Sequence, residues 1–187
     1  MTILGKINKK GHKKRILVAP LDWGLGHATR CIPIIRLLIQ QDAEVIIAAK
    51  NNILKLLHQE FPALPVIELE GYNVTYGRAG SLFLKMLLQT PGILRVIKHE
   101  HQWLAQVIRE LEIDAVISDN RFGLYSGKIP CVFITHQLAI QTGHNWLNKL
   151  AQKINYHYIN RFAACWIPDM ADNKNLAGIL SHPEKMP

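Results

Sequence analysis

Six short stretches dominated by apolar residues punctuate the chain: Ile16 to Ala19, Glu44 to Ala49, Val66 to Leu69, Ala115 to Ser118, Cys131 to Thr135 and Ala163 to Ile167. None alternates apolar with polar positions, which is the pattern of strands buried on both faces. Between them apolar residues recur every three or four positions. Ala28, Ile32, Ile35, Leu38 and Ile39 mark one helix. Asn51 is placed to cap a second that runs to about Glu60 before Pro62, and Ile93, Ile97, Leu104, Ile108 and Leu111 trace one face of a long third. A fourth is expected from Asn145 to Arg161 and a weak last one over Asn173 to Leu180. Strand alternating with helix throughout predicts an α/β fold, a Rossmann-like parallel sheet with helices on both faces.

Sheets of this kind carry their chemistry outside the C-terminal ends of the strands. The loops to read are therefore Asp22 to His27, Gly71 to Ser81, Asp119 to Tyr125 and His136 to Asn145. The first is the most informative, because the stretch Arg15 to Arg30 reads as strand, glycine loop and helix start, with His27 at or beside the helix N-terminus. Unpaired backbone N–H groups and the positive end of the helix dipole suit such a place to an anion. A dinucleotide fingerprint fails here: after Gly24 and Gly26 the third glycine is missing, and the second strand ends in Lys50 instead of an acid. A phosphate loop over Gly123 to Lys128 fails too, one residue short and with Ile129 in place of Ser or Thr. His27 has two readings, a structural ring that caps a helix or packs on the sheet, and a general base. A helix N-terminus favours a neutral imidazole, the form a base requires, and a carboxylate on the other ring nitrogen would fix its tautomer. Asp119, directly after the fourth strand, is the best-placed carboxylate.

Charge changes the picture less than its size suggests. The formal net charge of the 187 residues is +8, but Lys6, Lys9, Lys10, Lys13, Lys14 and Arg15 concentrate six positive charges before the first strand, with no acid among them. Residues 1–14 read as a basic, disordered leader, and no nucleic-acid partner is expected. Cys31, Cys131 and Cys165 are odd in number and lack a C-x-x-C spacing, which fits reduced thiols and a cytoplasmic location. No stretch reads as a signal peptide, and no apolar run approaches the ~20 residues that span a bilayer. His99 and His101, two apart on a helix, face different ways, so no metal is expected.

Three sets of residues carry a resemblance to a known family. Ile16 to Arg30, with its glycine loop ending in a helix-opening His27, resembles the N-terminal half of two-domain GT-B glycosyltransferases of the family 28 branch, which holds the N-acetylglucosaminyl transferase of peptidoglycan lipid synthesis. Gly127 to Gln137 followed by Asn145 to Ala151 is similar to that family's Ile-Pro strand, His-containing loop and Asn-x-x-x-x-x-Leu helix. Ile117 to Asn120 is similar to the segment where related enzymes carry the Asp paired with their catalytic His. The sequence departs from the family in Asp22 and Trp23 before Gly24, and in Gln137 where an acid is expected.

The resemblance implies one half of a GT-B fold, with residues 15–182 as the Rossmann-like domain and 183–187 as the start of an interdomain linker, the donor domain being absent from this chain. It implies the acceptor-binding half of an inverting glycosyltransferase. His27 would deprotonate the acceptor and Asp119 would orient His27. Asp22, Gly24, Gly26, Asn120, His136 and Gln137 would bind the acceptor, and no cofactor would be needed. The implied partners are a nucleotide-sugar donor, held by a missing domain or a partner subunit, and a lipid-linked or glycan acceptor. Without a donor domain the isolated chain is expected to be inactive. The other reading is a non-catalytic subunit that recruits an acceptor or anchors a split transferase to the membrane, or else an inactive fragment.

One segment bears on location. Leu82, Phe83, Leu84, Met86, Leu87 and Leu88 point all round a short helix, more than one core-facing stripe can bury, with Lys85, Arg95 and Lys98 among or after them. Two readings fit: a helix wedged between the sheet and its neighbours, or peripheral contact with the inner face of a membrane through Leu82, Phe83, Lys85, Met86, Leu87 and Arg95.

Overall fold

The fold is known from a computed structural model that describes residues 13–71, 82–140, 145–169 and 181; within helices, residues 82–91 and 145 are described by their backbone alone. Strands β1 (Arg15–Pro20), β2 (Glu44–Ala49), β3 (Val66–Glu68), β4 (Ala115–Asp119), β5 (Cys131–Ile134) and β6 (Ala164–Trp166) alternate with helices α1 (Leu25–Gln40), α2 (Asn51–Glu60), α3 (Leu82–Glu110) and α4 (Asn145–Ile159). The six strands form one sheet in the order β3-β2-β1-β4-β5-β6, every pair parallel. The chain therefore reverses its direction of travel across the sheet at β1 and β4, and the crevice for a ligand lies between their C-terminal ends.

The absence of alternation in the strands follows from helices on both sides. Ile16, Val18, Val45, Ile47, Ala49, Ile117 and Ile134 face α1 and α2 through Ala28, Cys31, Ile35, Leu38, Ile53 and Leu57. The intervening residues Leu17, Ala19, Ile46, Ala48, Val116 and Phe133 pack on the other face with Leu104 and Val107 of α3 and with Ile159 and Phe162 at the end of α4. Both faces of each central strand are thus dry, and full burial of one such Val, Leu or Ile stabilises the fold by about 1.5–3 kcal/mol.

Two local expectations need correction. Asn51 does not cap α2: it is the first helical residue, at φ 54°, and Lys50 precedes it in extended conformation without a side-chain cap bond. Asn tolerates this left-handed conformation better than most residues, which is the property the position uses. The apolar stretch from Leu82 is not a separate short helix, since α3 runs unbroken through Pro91 and Gly92. Proline costs an interior helix one hydrogen bond without dictating where it stops, and here the fold carries the helix through it. The leader lies outside the described residues apart from Lys13 and Lys14, whose ammonium groups pair with Asp42 (2.5 Å) and Asp114 (2.8 Å). The helix expected over 173–180 also lies outside them.

Helix α4 exposes a clean outer face. Trp146, Leu150 and Ile154 are 63%, 51% and 47% exposed, one turn apart, and the exposed Lys149, Lys153 and His157 run beside them. The helix has no acidic residue. No described helix is long and apolar enough to cross a membrane.

Candidate active site

The crevice between β1 and β4 is lined by charged side chains whose placement follows from the strand register. Pro20 pairs with Asp119, so the end of β4 lies beside the loop that leads into α1. Gly24 precedes α1 in extended conformation without a side-chain cap, and the His27 N–H bonds to the Gly24 carbonyl at 3.2 Å. His27 in this first turn turns its ring inward, where Nδ1 is 3.0 Å from Oδ2 of the fully buried Asp119. Next to Asp119, Asn120 sits at φ 59°, and its N–H bonds to the Ile134 carbonyl at 3.0 Å. A left-handed residue at the tip of a buried strand is a strained place that the surrounding structure holds, and such places concentrate at functional sites.

The sequence reading missed the centre of this cluster. Arg30, one turn after His27, lays a fork on Asp119, with Nε donating to Oδ2 at 2.7 Å and Nη2 donating to Oδ1 at 2.5 Å. The same Nη2 lies 2.5 Å from His27 Nδ1, and Nη1 lies 3.2 Å from His136 Nδ1. Arg30 therefore gathers His27, Asp119 and His136 into one network. The signal was its i+3 spacing from His27, which puts both side chains on one helix face. His136 is held below its ordinary pKa by partial desolvation and by the Arg30 charge. Cys31 lies against the same carboxylate, Sγ at 3.9 Å, and burial pushes its thiol far above the usual range.

The remaining expected site residues divide. Gly24 and Gly26 are exposed at the mouth of the crevice. Gln137 is exposed after β5, its N–H bonded to Thr135 Oγ1 at 3.0 Å, and no hydrogen bond joins its side chain to His27 or Asp119 among the described residues. Asp22 has no hydrogen bond to His27 among the described residues. Its carboxylate packs over Gly71, where any Cβ would collide with Oδ2, and its Oδ1 approaches Arg121 Nη2 at 3.9 Å, too far for a hydrogen bond. Both of those atoms are buried without a hydrogen-bond partner among the described residues. Asp22 also borders a cleft of about 350 Å³ with Trp23, Gly24, Leu25, Asn51, Asn52 and Ile53. This cleft lies on the β2 side of the loop and His27 does not line it.

A second missed residue supports the site from behind. Arg121 is fully buried, with Nε donating to the Pro20 carbonyl at 2.9 Å and Nη1 donating to the Glu70 carbonyl at 2.9 Å and to Glu100 Oε1 at 2.7 Å. Glu100, buried on α3, also accepts the Gly123 N–H at 3.1 Å. One guanidinium thus ties together the ends of β1, β3 and β4 and the flank of α3. Of the residues expected at a membrane, Leu82, Phe83, Lys85, Met86 and Leu87 have side chains outside the described set, while Arg95 is exposed. Among the described residues no group of His, Cys, Asp and Glu has the arrangement of a metal site.

No protein-family model matches the sequence, and no curated protein matches it. Solved structures do resemble it. Arabidopsis thaliana UGT89C1 in complex with UDP matches with a TM-score of 0.56 at 12% identity, over 86% of this chain and 46% of that one. The glycotransferase of kitacinnamycin matches at 0.53 and 13% identity, over 81% and 39%. A candidate UDP-N-acetylglucosamine 2-epimerase from Listeria monocytogenes matches at 0.52 and 14% identity, over 84% and 39%. The chain spans less than half the length of each. At such identities the likeness concerns architecture: this chain has the Rossmann-like, all-parallel form of one half of a GT-B protein. The fold resembles that of GT-B glycosyltransferases in general, with no preference for the family 28 branch.

Proposed function

We propose that this chain is the acceptor-binding half of an inverting glycosyltransferase, acting on a nucleotide sugar and a lipid-linked or glycan acceptor, with N-acetylglucosamine the sugar suggested by the sequence resemblance. The observation that carries the reading is the His27–Asp119 contact of 3.0 Å at the switch point of a parallel sheet. His27 at the mouth of the crevice takes the acceptor hydroxyl's proton as that oxygen attacks the anomeric carbon and the nucleotide diphosphate leaves. Asp119 orients the ring, and Asn120, His136 and the Gly24 to Gly26 backbone face the acceptor. The exposed position of Gln137 suits an outer contact, whereas Asp22 acts on the acceptor side only through the cleft beside Trp23. The donor is held by another domain or subunit, because displacement needs both reactants fixed together.

Peripheral contact with an anionic membrane on the cytoplasmic side belongs to the same reading. Exposed Leu94 and Arg95 on α3 support it, as does the outer face of α4, where three exposed apolar residues run beside two lysines. Charge complementarity selects anionic lipid as the occupant.

The test is turnover of a UDP-sugar by the assembly containing this chain and its donor-binding partner. His27→Ala should lower turnover by roughly 10²–10⁴-fold with folding intact, the usual scale for a general base. Asp119→Asn should act in the same direction. Near-normal turnover by His27→Ala refutes the assignment, and robust turnover by residues 1–187 alone refutes the division of labour.

A further inference from the structure

Arg30 stands between the two groups whose contact defines the base. Its Nη2 is 2.5 Å from His27 Nδ1, which is itself 3.0 Å from Asp119 Oδ2. A neutral imidazole offers one N–H and one lone pair, and a guanidinium offers only N–H groups. A proton on His27 Nδ1 would set two donors against each other at 2.5 Å. A lone pair there accepts from Nη2, and the ring hydrogen then resides on Nε2. Asp119 does not require the imidazole N–H in this arrangement, since the Arg30 fork already occupies both of its oxygens.

We propose that Arg30 is a positioning residue that holds His27 in the Nε2–H tautomer, so that the ligand-free ring presents a proton donor to the crevice, and that an anionic phosphoryl group drawing Nη2 away converts it into a base. This rests on the assignment of His27 as the general base. With Nη2 withdrawn, Nδ1–H donates to Asp119 Oδ2 and Nε2 carries the lone pair. The interconversion moves no net charge: Nε2 releases a proton to water, and water returns one to Nδ1. Arg30 has the means to move, because its side chain is 21% exposed and its Nη1 already leans out to the exposed His136. A phosphoryl group offers it a charged, two-oxygen acceptor in exchange for the ring nitrogen and Asp119 Oδ1, while Nε stays on Asp119 Oδ2 and the Nδ1–H released by the tautomer change returns a donor to the carboxylate. Both reactants of the proposed reaction can carry phosphoryl groups, so the base would become competent only when one is in place.

The tautomer can be read without turnover. Long-range ¹H–¹⁵N correlation spectra of the ¹⁵N-labelled chain, with His27 assigned by His27→Gln, show which ring nitrogen carries hydrogen. We expect Nε2–H in the free chain, a shift to Nδ1–H on titration with inorganic pyrophosphate, and Nδ1–H without pyrophosphate in Arg30→Met. Arg30→Lys keeps a cation beside Asp119 without the fork, and it too should give Nδ1–H, should Arg30→Met fail to fold. A free wild-type chain with hydrogen on Nδ1 overturns the proposal, and a ring that stays Nε2–H through the pyrophosphate titration overturns its ligand-driven half. An inactive assembly with the expected spectra would count against the transferase reading alone.

Discussion

Replacing Glu100 with Ala tests whether the buried ion pair behind the crevice holds the fold together. Glu100 and Arg121 are both inaccessible to solvent, and the Nη1–Oε1 contact is 2.7 Å. Removal of the carboxylate leaves the guanidinium, among the described residues, with Asp22 Oδ1 at 3.9 Å as its remaining acid, beyond hydrogen-bond reach. Breaking a buried pair by deleting one partner costs about 3–5 kcal/mol. The Gly123 N–H loses its acceptor as well, which adds about 1–3 kcal/mol where no water replaces it. Glu100→Ala should therefore destabilise the chain by about 4–8 kcal/mol, and at about 2–4 °C per kcal/mol its midpoint should fall by roughly 8–32 °C. Glu100→Gln keeps the shape and one acceptor and should lose about half as much. Urea unfolding followed by circular dichroism reads the difference as a lower midpoint at unchanged slope. Glu100→Met combined with Arg121→Met should cost less than the two single changes added together, because no charge is left buried alone. A loss below about 1 kcal/mol for Glu100→Ala would mean that Arg121 finds full solvation in the folded chain, and the bracing role assigned to it would be wrong.

Two further outcomes follow from other parts of the molecule. Burial pushes the thiols of Cys131 and Cys165 up to about 11 and that of Cys31 higher still. The unfolded chain releases these protons first, so stability from these groups is intact below pH about 9 and falls as pH rises towards 11. Urea midpoints at pH 8 and pH 10 measure the change, and a higher midpoint at pH 10 would contradict the burial. Sedimentation with anionic liposomes should carry the chain down at low salt and lose it at high salt. Leu150→Ser with Ile154→Ser should weaken that binding, and a chain that stays in the supernatant at low salt refutes the membrane contact.

The sheet was legible because strands buried on both faces must be apolar at consecutive positions, and Ile16 to Ala19 and Val45 to Ala49 show this directly. The contents of the crevice were legible only in part. His27 announces itself by its place after two glycines, whereas Arg30 carries no mark except its spacing, and its role depends on Asp119 arriving from a distant strand. Glu100 left a trace, because the stripe of α3 passes from Ile97 to Leu104 with a gap where a core residue is due. A lone acid in that gap reads as a solvated position until Arg121 is known to lie opposite. The course of α3 through Pro91 and the conformation of Asn51 were illegible, because tertiary packing overrides local preference at both.

The order of strands has a consequence for synthesis. β1 is central, with β2 as one neighbour and β4 as the other, and β4 begins at Ala115. Until β4 leaves the ribosome, one edge of a strand apolar from Ile16 to Pro20 has no partner and His27 has no Asp119. At about 5–20 residues per second, the 92 positions that separate the two take roughly 5–20 s to translate. Over that interval the nascent chain holds an open, hydrophobic edge that other chains can pair with. Slow codons or a shortage of chaperone before residue 119 would therefore reduce the yield of folded protein more than the same disturbance later in the message.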